Sequence, residues 1–230
     1  MNIGFNVIHV PSCTERSEAA ASSTAILTQA GFINLNCPAV YTPTWTEVDR
    51  FSERNPQCSV FPHTNFGTTF PEHAGVFGTF ASHFKVWESI IDQGLTSAIV
   101  LEDDIRLLPS FIHTLNHALM SIPQGFDFLF LYAPPVDTPL FKSEVHGINN
   151  PLVCYSYQTW STAAYLVSQQ GALKALTDVA TFGFSMPIDW YIFCRGPGLF
   201  ENYSLRPEIP LIAEPTHQFY DSLASKAQQR

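Results

Sequence analysis

Apolar residues in this chain fall into short dense runs separated by longer amphipathic stretches. Ile3 to Val10 is largely apolar and stops at Pro11, which predicts a first buried strand. A polar turn follows, in which Ser12 with Glu15, or Thr14 with Ser17, offers a capping box. Ala19 to Ala30 then continues as a helix, with Gly31 at the position that ends it. Further on, Phe80, Phe84, Trp87, Ile90 and Ile91 recur at spacings of four, three, three and one, the pattern of one helical face. Gly94 closes that helix. Ser97 to Leu101 is a short apolar strand, and Phe111, Leu115, Leu119 and Ile122 mark another helix ending before Pro123. Phe126 to Tyr132 reads as a strand stopped by Pro134 and Pro135. Ser161 to Val167 is strand-like, Ser168 is placed to cap a helix through residue 179, and Pro187 opens one more helical element.

Helices alternating with apolar strands predict an α/β fold with a mostly parallel central sheet flanked by helices. One domain over residues 1–222 and a polar tail at 223–230 account for the chain. Residues 32–78 fit less simply. They carry Pro38, Pro43, Pro56, Pro62 and Pro71 with Gly67, Gly75 and Gly78, which predicts a loop-rich segment with short helical pieces. An irregular stretch of that length serves either as a lid or as a small packed annex.

Composition narrows the function classes. In 230 residues, 46% are hydrophobic and only 13% charged, about half the usual ~25%. Disorder is excluded, and weakly polar surface is left for a substrate or partner. Eleven basic residues, scattered, against twenty acidic ones give a net charge of −9, which argues against nucleic acid as a partner. The five cysteines form no CxxC pair and read as scattered thiols rather than a zinc site. No signal-peptide pattern opens the chain and no run reaches the ~18 apolar residues of a membrane helix, so a soluble, cytoplasmic protein is expected.

The strongest chemical feature is Glu102-Asp103-Asp104, three carboxylates directly after an apolar strand. A divalent cation relieves their repulsion and accepts oxygen ligands, while a neighbouring acid can meet a ribose hydroxyl. The alternative is a solvated turn in which Asp104 caps a helix. Asp189 stands between Ile188 and Trp190, where a carboxylate is costly unless a cleft solvates it; it is the candidate general base, or else a helix-start acid. Arg16 follows the first strand and has the planar fork that suits a diphosphate, or is an exposed helix-start residue. His83 sits beside a buried helical face, as a core histidine or a donor-site residue. His217, late in the chain, is a candidate to complete a metal shell or a surface histidine. Phosphate-loop, dinucleotide, zinc-protease and hydrolase-elbow motifs are absent from the sequence.

Taken in order, four stretches resemble glycosyltransferase family 25, the lipopolysaccharide biosynthesis and procollagen galactosyltransferase-like family. They are Val7 to Val10 with Glu15-Arg16; Gly75 to Trp87, with its Ser82-His83 and Trp87; Ala98 to Ile105, with the acidic triplet; and Trp160 to Ala172 together with Pro187-Ile188-Asp189. The likeness spans most of residues 3–220. It implies a GT-A-like fold and transfer of a sugar, galactose from UDP-galactose foremost, to a hydroxyl of a glycan, lipid-linked sugar or peptide, with inversion. It also implies a divalent metal, manganese before magnesium. On that reading Asp189 is the base; Arg16, His83, Glu102 and Asp103 hold the donor; and Glu102, Asp104 and His217 hold the metal. The rival readings are an inactive sugar- or partner-binding member of the same fold and a metal-dependent phosphoesterase.

Overall fold

Period-two alternation along the predicted strands has a direct structural meaning, because each strand sends neighbouring side chains to opposite faces of a sheet. The computed structural model describes residues 2–11, 14–42, 44–57, 74–132, 152–155, 161–184, 186–194, 198–206, 209–210 and 212–216. In it, strands β1 (Ile3–Ile8), β2 (Ile33–Asn34), β3 (Ser97–Glu102), β5 (Phe128–Phe130), β6 (Val153–Tyr155), β7 (Ala164–Ser168) and β8 (Asn202–Leu205) form one sheet of order β2-β1-β3-β7-β5-β8-β6. Five of the seven run in one direction, and β7 and β6 oppose them. The mostly parallel sheet is therefore present. A separate ribbon pairs β4 (Ile105–Leu107) with β9 (Ala213–Pro215), antiparallel.

Both faces of the sheet are covered by apolar side chains. Ala98, Val100, Phe128, Phe130, Tyr165 and Val167 join α3 (Ala74–Asp92), α5 (Gln169–Phe182) and α6 (Ile188–Cys194) in one core. Their neighbours Ile99, Leu101, Leu129, Ala164 and Leu166 join α1 (Ser17–Gln29) and α4 (Phe111–Ser121) in a second core on the other face. Of the helical face predicted at Phe80, Phe84, Trp87, Ile90 and Ile91, the first four are inside the first core and Ile91 packs half-buried against it. α5 starts where Ser168 was expected to cap it: the Ser168 hydroxyl accepts from the Gly171 N–H at 2.9 Å.

At the start of α1 the N-cap residue Arg16 makes no side-chain cap hydrogen bond, and a single 3-10 turn, Thr14–Arg16, leads straight into the helix. The Ser17 hydroxyl meets His9 Nε2 at 3.2 Å, and the Ser12–Glu15 alternative rests on side chains outside the described residues. Asp104 caps no helix either, because Ile105 opens β4.

The described part of the Pro-rich segment is docked. Asn6 holds Cys37 by two hydrogen bonds, from Cys37 N–H to Oδ1 at 2.7 Å and from Nδ2 to the Cys37 carbonyl at 3.2 Å. Val40 N–H donates to Ser82 Oγ at 2.8 Å, and the Thr42 hydroxyl donates to the Ala74 carbonyl at 2.7 Å. Gly78 makes this approach possible, since a Cβ there would stand 2.5 Å from Thr42 Oγ1. A short helix, α2 (Trp45–Arg54), buries Val48 and sets Phe51 edge-on to Phe77. Tyr41 and Trp45 remain on the surface. Phe61, Phe66 and Phe70 lie outside the described residues, as do most of the 136–160 loop and the tail.

Register then places the chemistry. β1 pairs with β3 so that Ile8 stands opposite Glu102, and β7 enters beside Leu101 through Ala164. The residues just past β1 and β3, and those just before β7, therefore share one edge. In sheets of this kind that carboxyl edge is where ligands bind.

Candidate active site

Asp103 organises the edge. Its Oδ2 meets His9 Nδ1 at 2.9 Å and the Val10 N–H at 3.4 Å, and its Oδ1 meets the Arg16 guanidinium at 3.0 Å. Asp103 and Arg16 are both buried, so the exposed helix-start alternative for Arg16 does not hold. Arg16 reaches its place because the 3-10 turn carries it back over the end of β1. The same guanidinium stands 3.5 Å from Asp104 Oδ2. One cation is thus shared between two consecutive carboxylates.

Glu102, the last residue of β3, turns to the opposite face. Its Oε1 accepts from the Thr162 hydroxyl at 3.0 Å and faces His83 Nε2 at 3.5 Å. Burial works to raise its pKa, but contact with His83 first, and then the Thr162 hydrogen bond and the Arg16 charge, outweigh it and hold the carboxyl below its ordinary range.

Asp104 has the opposite balance. Burial first, and then the charges of Glu102 and Asp103, push its pKa up to about 6 against the pull of Arg16. Its Oδ1 is buried with no hydrogen-bond partner among the described residues. Tyr132, at the end of the β5 segment, feels the Asp104 charge, and burial together with that charge raises its phenol. The backbone of Asp104 is pinned in turn, because Thr216 N–H donates to its carbonyl at 2.7 Å at the end of β9. His217, the next residue, lies outside the described residues.

Asp189 stands in the first turn of α6, where Pro187 fixes the approach and the Asp189 carboxylate accepts from the Trp190 N–H at 2.9 Å. Burial raises its pKa, and the nearby Glu102 charge adds to the rise; the Trp190 bond and His83 oppose it. Asp189 is therefore in electrostatic contact with the Glu102–His83 pair although 87 residues separate Asp189 from Glu102.

The fold thus gathers Arg16, His83, Glu102, Asp103, Asp104 and Asp189 at one edge. His83 is fully buried, and its Nδ1 lies 2.8 Å from the Tyr165 hydroxyl, which also accepts from Trp87 Nε1 at 3.1 Å. His83 faces protein on both nitrogens. Its neighbour Ser82 belongs to the scaffold, donating to the Gly78 carbonyl at 2.7 Å while holding Val40. Sequence reasoning missed His9, Thr162 and Tyr165. For His9 a signal existed: a histidine directly after a buried strand falls opposite an acid directly after the neighbouring parallel strand. Tyr165 and Thr162 gave none, because β7 is antiparallel and its register is not written locally.

The site carries two carboxylates, Glu102 and Asp104, fit to receive a divalent cation. Among the described residues no group of three histidine, cysteine or acidic side chains forms a complete cage.

This carboxylate-rich edge of an α/β sheet has relatives. Residues 74–192 match the family model "Glycosyltransferase family 25 (LPS biosynthesis protein)", and the chain belongs to that family. It is 32% identical over 125 residues to procollagen galactosyltransferase 1-B of Xenopus laevis, covering 53% of this chain and 20% of that protein. It is 29% identical over 161 residues to inactive glycosyltransferase 25 family member 3 of Mus musculus, covering 64% of this chain and 26% of that one. The chain thus matches about a fifth to a quarter of the length of these curated relatives. Among solved structures it is similar to a glycosyltransferase involved in glycosylation of the major capsid of PBCV-1, with a TM-score of 0.47, 12% identity, and coverage of 88% and 81% of the two chains.

Proposed function

We propose that this chain is a metal-dependent glycosyltransferase domain that moves a sugar, galactose from UDP-galactose, to an acceptor hydroxyl with inversion. The observation that carries the reading is the unbalanced acid pair at the end of β3: Asp104 is pushed up to about 6 and keeps one buried oxygen without a partner among the described residues, next to a Glu102 held below its ordinary range. Charge of that kind is held in place for a cation. Glu102 and Asp104 are the residues that would hold it, with His217 as the sequence candidate for a third ligand. When bound, such a cation neutralises the diphosphate leaving group. The chain's own side chains do the rest. Arg16 adds positive charge beside the carboxylates. Asp103 locks Arg16 and His9 in place and so shapes the donor side. Asp189, with its pKa raised by burial, takes the proton of the acceptor hydroxyl as that oxygen attacks the anomeric carbon from the face opposite the diphosphate. One base and one direct displacement are what inversion requires. A GT-A-like arrangement, a nucleotide-sugar donor and a glycan, lipid-linked sugar or peptide acceptor complete the proposal.

A second reading has a specific motive, since some of the relatives carry the word inactive in their names. Release of UDP from UDP-galactose, measured with and without manganese and with simple sugar acceptors, separates the two. Manganese-dependent turnover supports transfer. Tight UDP binding with no turnover for any nucleotide sugar assigns the chain to the inactive members.

No helix among the described residues is long and apolar enough to cross a membrane.

A further inference from the structure

We propose that His83 is a positioning residue, held in its Nε2–H tautomer by a buried Trp87–Tyr165 pair so that it donates to Glu102 and leaves the other Glu102 oxygen for the ligand. The inference deepens the donor-site reading above and, for its functional consequence, rests on it.

Trp87, Tyr165 and His83 are all completely buried, so water does not complete their hydrogen bonding. An indole N–H only donates. Trp87 Nε1 therefore gives its proton to Tyr165 at 3.1 Å. The Tyr165 hydroxyl then has one proton of its own and one near neighbour left, His83 Nδ1 at 2.8 Å. If Nδ1 also carried a proton, both neighbours would be donating to the phenol oxygen and the phenolic proton would be buried without an acceptor. That is a cost folded proteins avoid. The arrangement that gives the phenolic proton an acceptor has Tyr165 donating to Nδ1, so the imidazole proton sits on Nε2, a buried atom with no hydrogen-bond partner among the described residues. Nε2 points at Glu102 Oε1, 3.5 Å away, a distance that a small shift closes to a full hydrogen bond. Thr162 donates to the same oxygen at 3.0 Å. Both close contacts of Glu102 fall on Oε1, and Oε2 makes no hydrogen bond among the described residues. A second donor on that oxygen fixes the carboxylate plane and leaves Oε2 to the ligand. A fully buried imidazole with protein on both sides does not reach a donor molecule. Its influence passes through Glu102.

The first test needs no substrate. Long-range proton–nitrogen correlation spectra of the intact chain read the His83 tautomer at neutral pH, with assignment by His83→Gln. A neutral ring with its proton on Nε2 is expected; a proton on Nδ1, alone or as imidazolium, overturns the proposal. The second test titrates UDP with manganese. His83→Met, of similar bulk but without a donor, is expected to weaken binding about tenfold, the scale of one hydrogen bond to a charged group. His83→Gln, whose amide can still donate to Glu102, restores most of that loss. A folded His83→Met variant that binds as tightly as the natural chain, or a His83→Gln variant no better than His83→Met, overturns the positioning role. If the natural chain binds no UDP with manganese, the donor reading fails instead, and the tautomer spectrum still decides the relay.

Discussion

The two edges of the central sheet each bury acid, and they treat it differently. At the amino edge Asp127, just before β5, is fully buried. Its Oδ2 accepts from Lys174 Nζ at 2.6 Å and from the Glu201 N–H at 2.8 Å, and its backbone carbonyl accepts from the Ser168 N–H at 2.9 Å. Gly171 lets α5 close over it, since a Cβ there would meet the Asp127 carbonyl at 2.6 Å. At the carboxyl edge four acids, Glu102, Asp103, Asp104 and Asp189, gather around Arg16 with His9 and His83. An orphaned oxygen does not distinguish the two places, because Asp127 Oδ1 lacks a partner as well. The counter-charge does. Asp127 has its own lysine, whereas Asp104 shares one arginine with Asp103 and is repelled by Glu102. The amino edge is finished as structure, and the carboxyl edge holds negative charge in excess of what the described chain offsets.

That contrast breaks most sharply at Asp189. Asp189→Asn keeps size and is expected to lower transfer by about 10²–10⁴-fold with little change in UDP affinity. Steady-state turnover beside a binding isotherm checks it, and turnover near the natural level would move the base elsewhere.

The next two variants should shift stability in opposite directions. Asp127→Asn removes the partner of Lys174 and is expected to cost about 2–4 kcal/mol in denaturant unfolding, somewhat less than a fully buried pair because Lys174 is partly exposed, while UDP binding stays unchanged. Asp104→Asn should do the reverse. The folded chain holds the Asp104 proton more tightly, near pH 6, than the ordinary value of 3.8. The folded state therefore binds more protons than the unfolded state between those values, and stability falls as pH rises through them. The substitution is expected to gain about 1–3 kcal/mol at pH 7, with the gain disappearing below about pH 4. Unfolding curves at pH 4 and pH 7 read the sign directly. The smallest effect belongs to Ser168, whose cap of α5 is worth about 1 kcal/mol; Ser168→Ala should lower stability by that amount and leave the carboxyl edge intact.

How much of this was legible in the sequence follows from how local each feature is. The strand at 97–101 with acids after it, the buried face of α3 and the Ser168 cap are short-range patterns, and each appears where the pattern put it. Features set by pairing between distant segments were not legible. The reversed direction of β7 decides that Thr162 and Tyr165 reach Glu102 and His83, and no local periodicity states it. For Arg16 the sequence leaves open a diphosphate-binding residue and an exposed helix-start residue; the 3-10 turn and Asp103, 87 residues away, bury it. Helix α2 hides in a stretch rich in proline because its buried contribution is essentially Val48, with Phe51 packed at its rim. Pairs far apart in sequence, not composition, set Asp103 against His9 and Arg16, and Glu102 against Thr162 and His83.

On the function proposed above, the excess charge at the carboxyl edge awaits a cation and a diphosphate. Calorimetric titration of UDP into the natural chain, Asp104→Asn and Asp127→Asn, each with and without manganese, tests it most directly. The account predicts manganese-dependent binding for the natural chain and for Asp127→Asn, and its loss in a folded Asp104→Asn. Equal, manganese-dependent affinity in all three would contradict it.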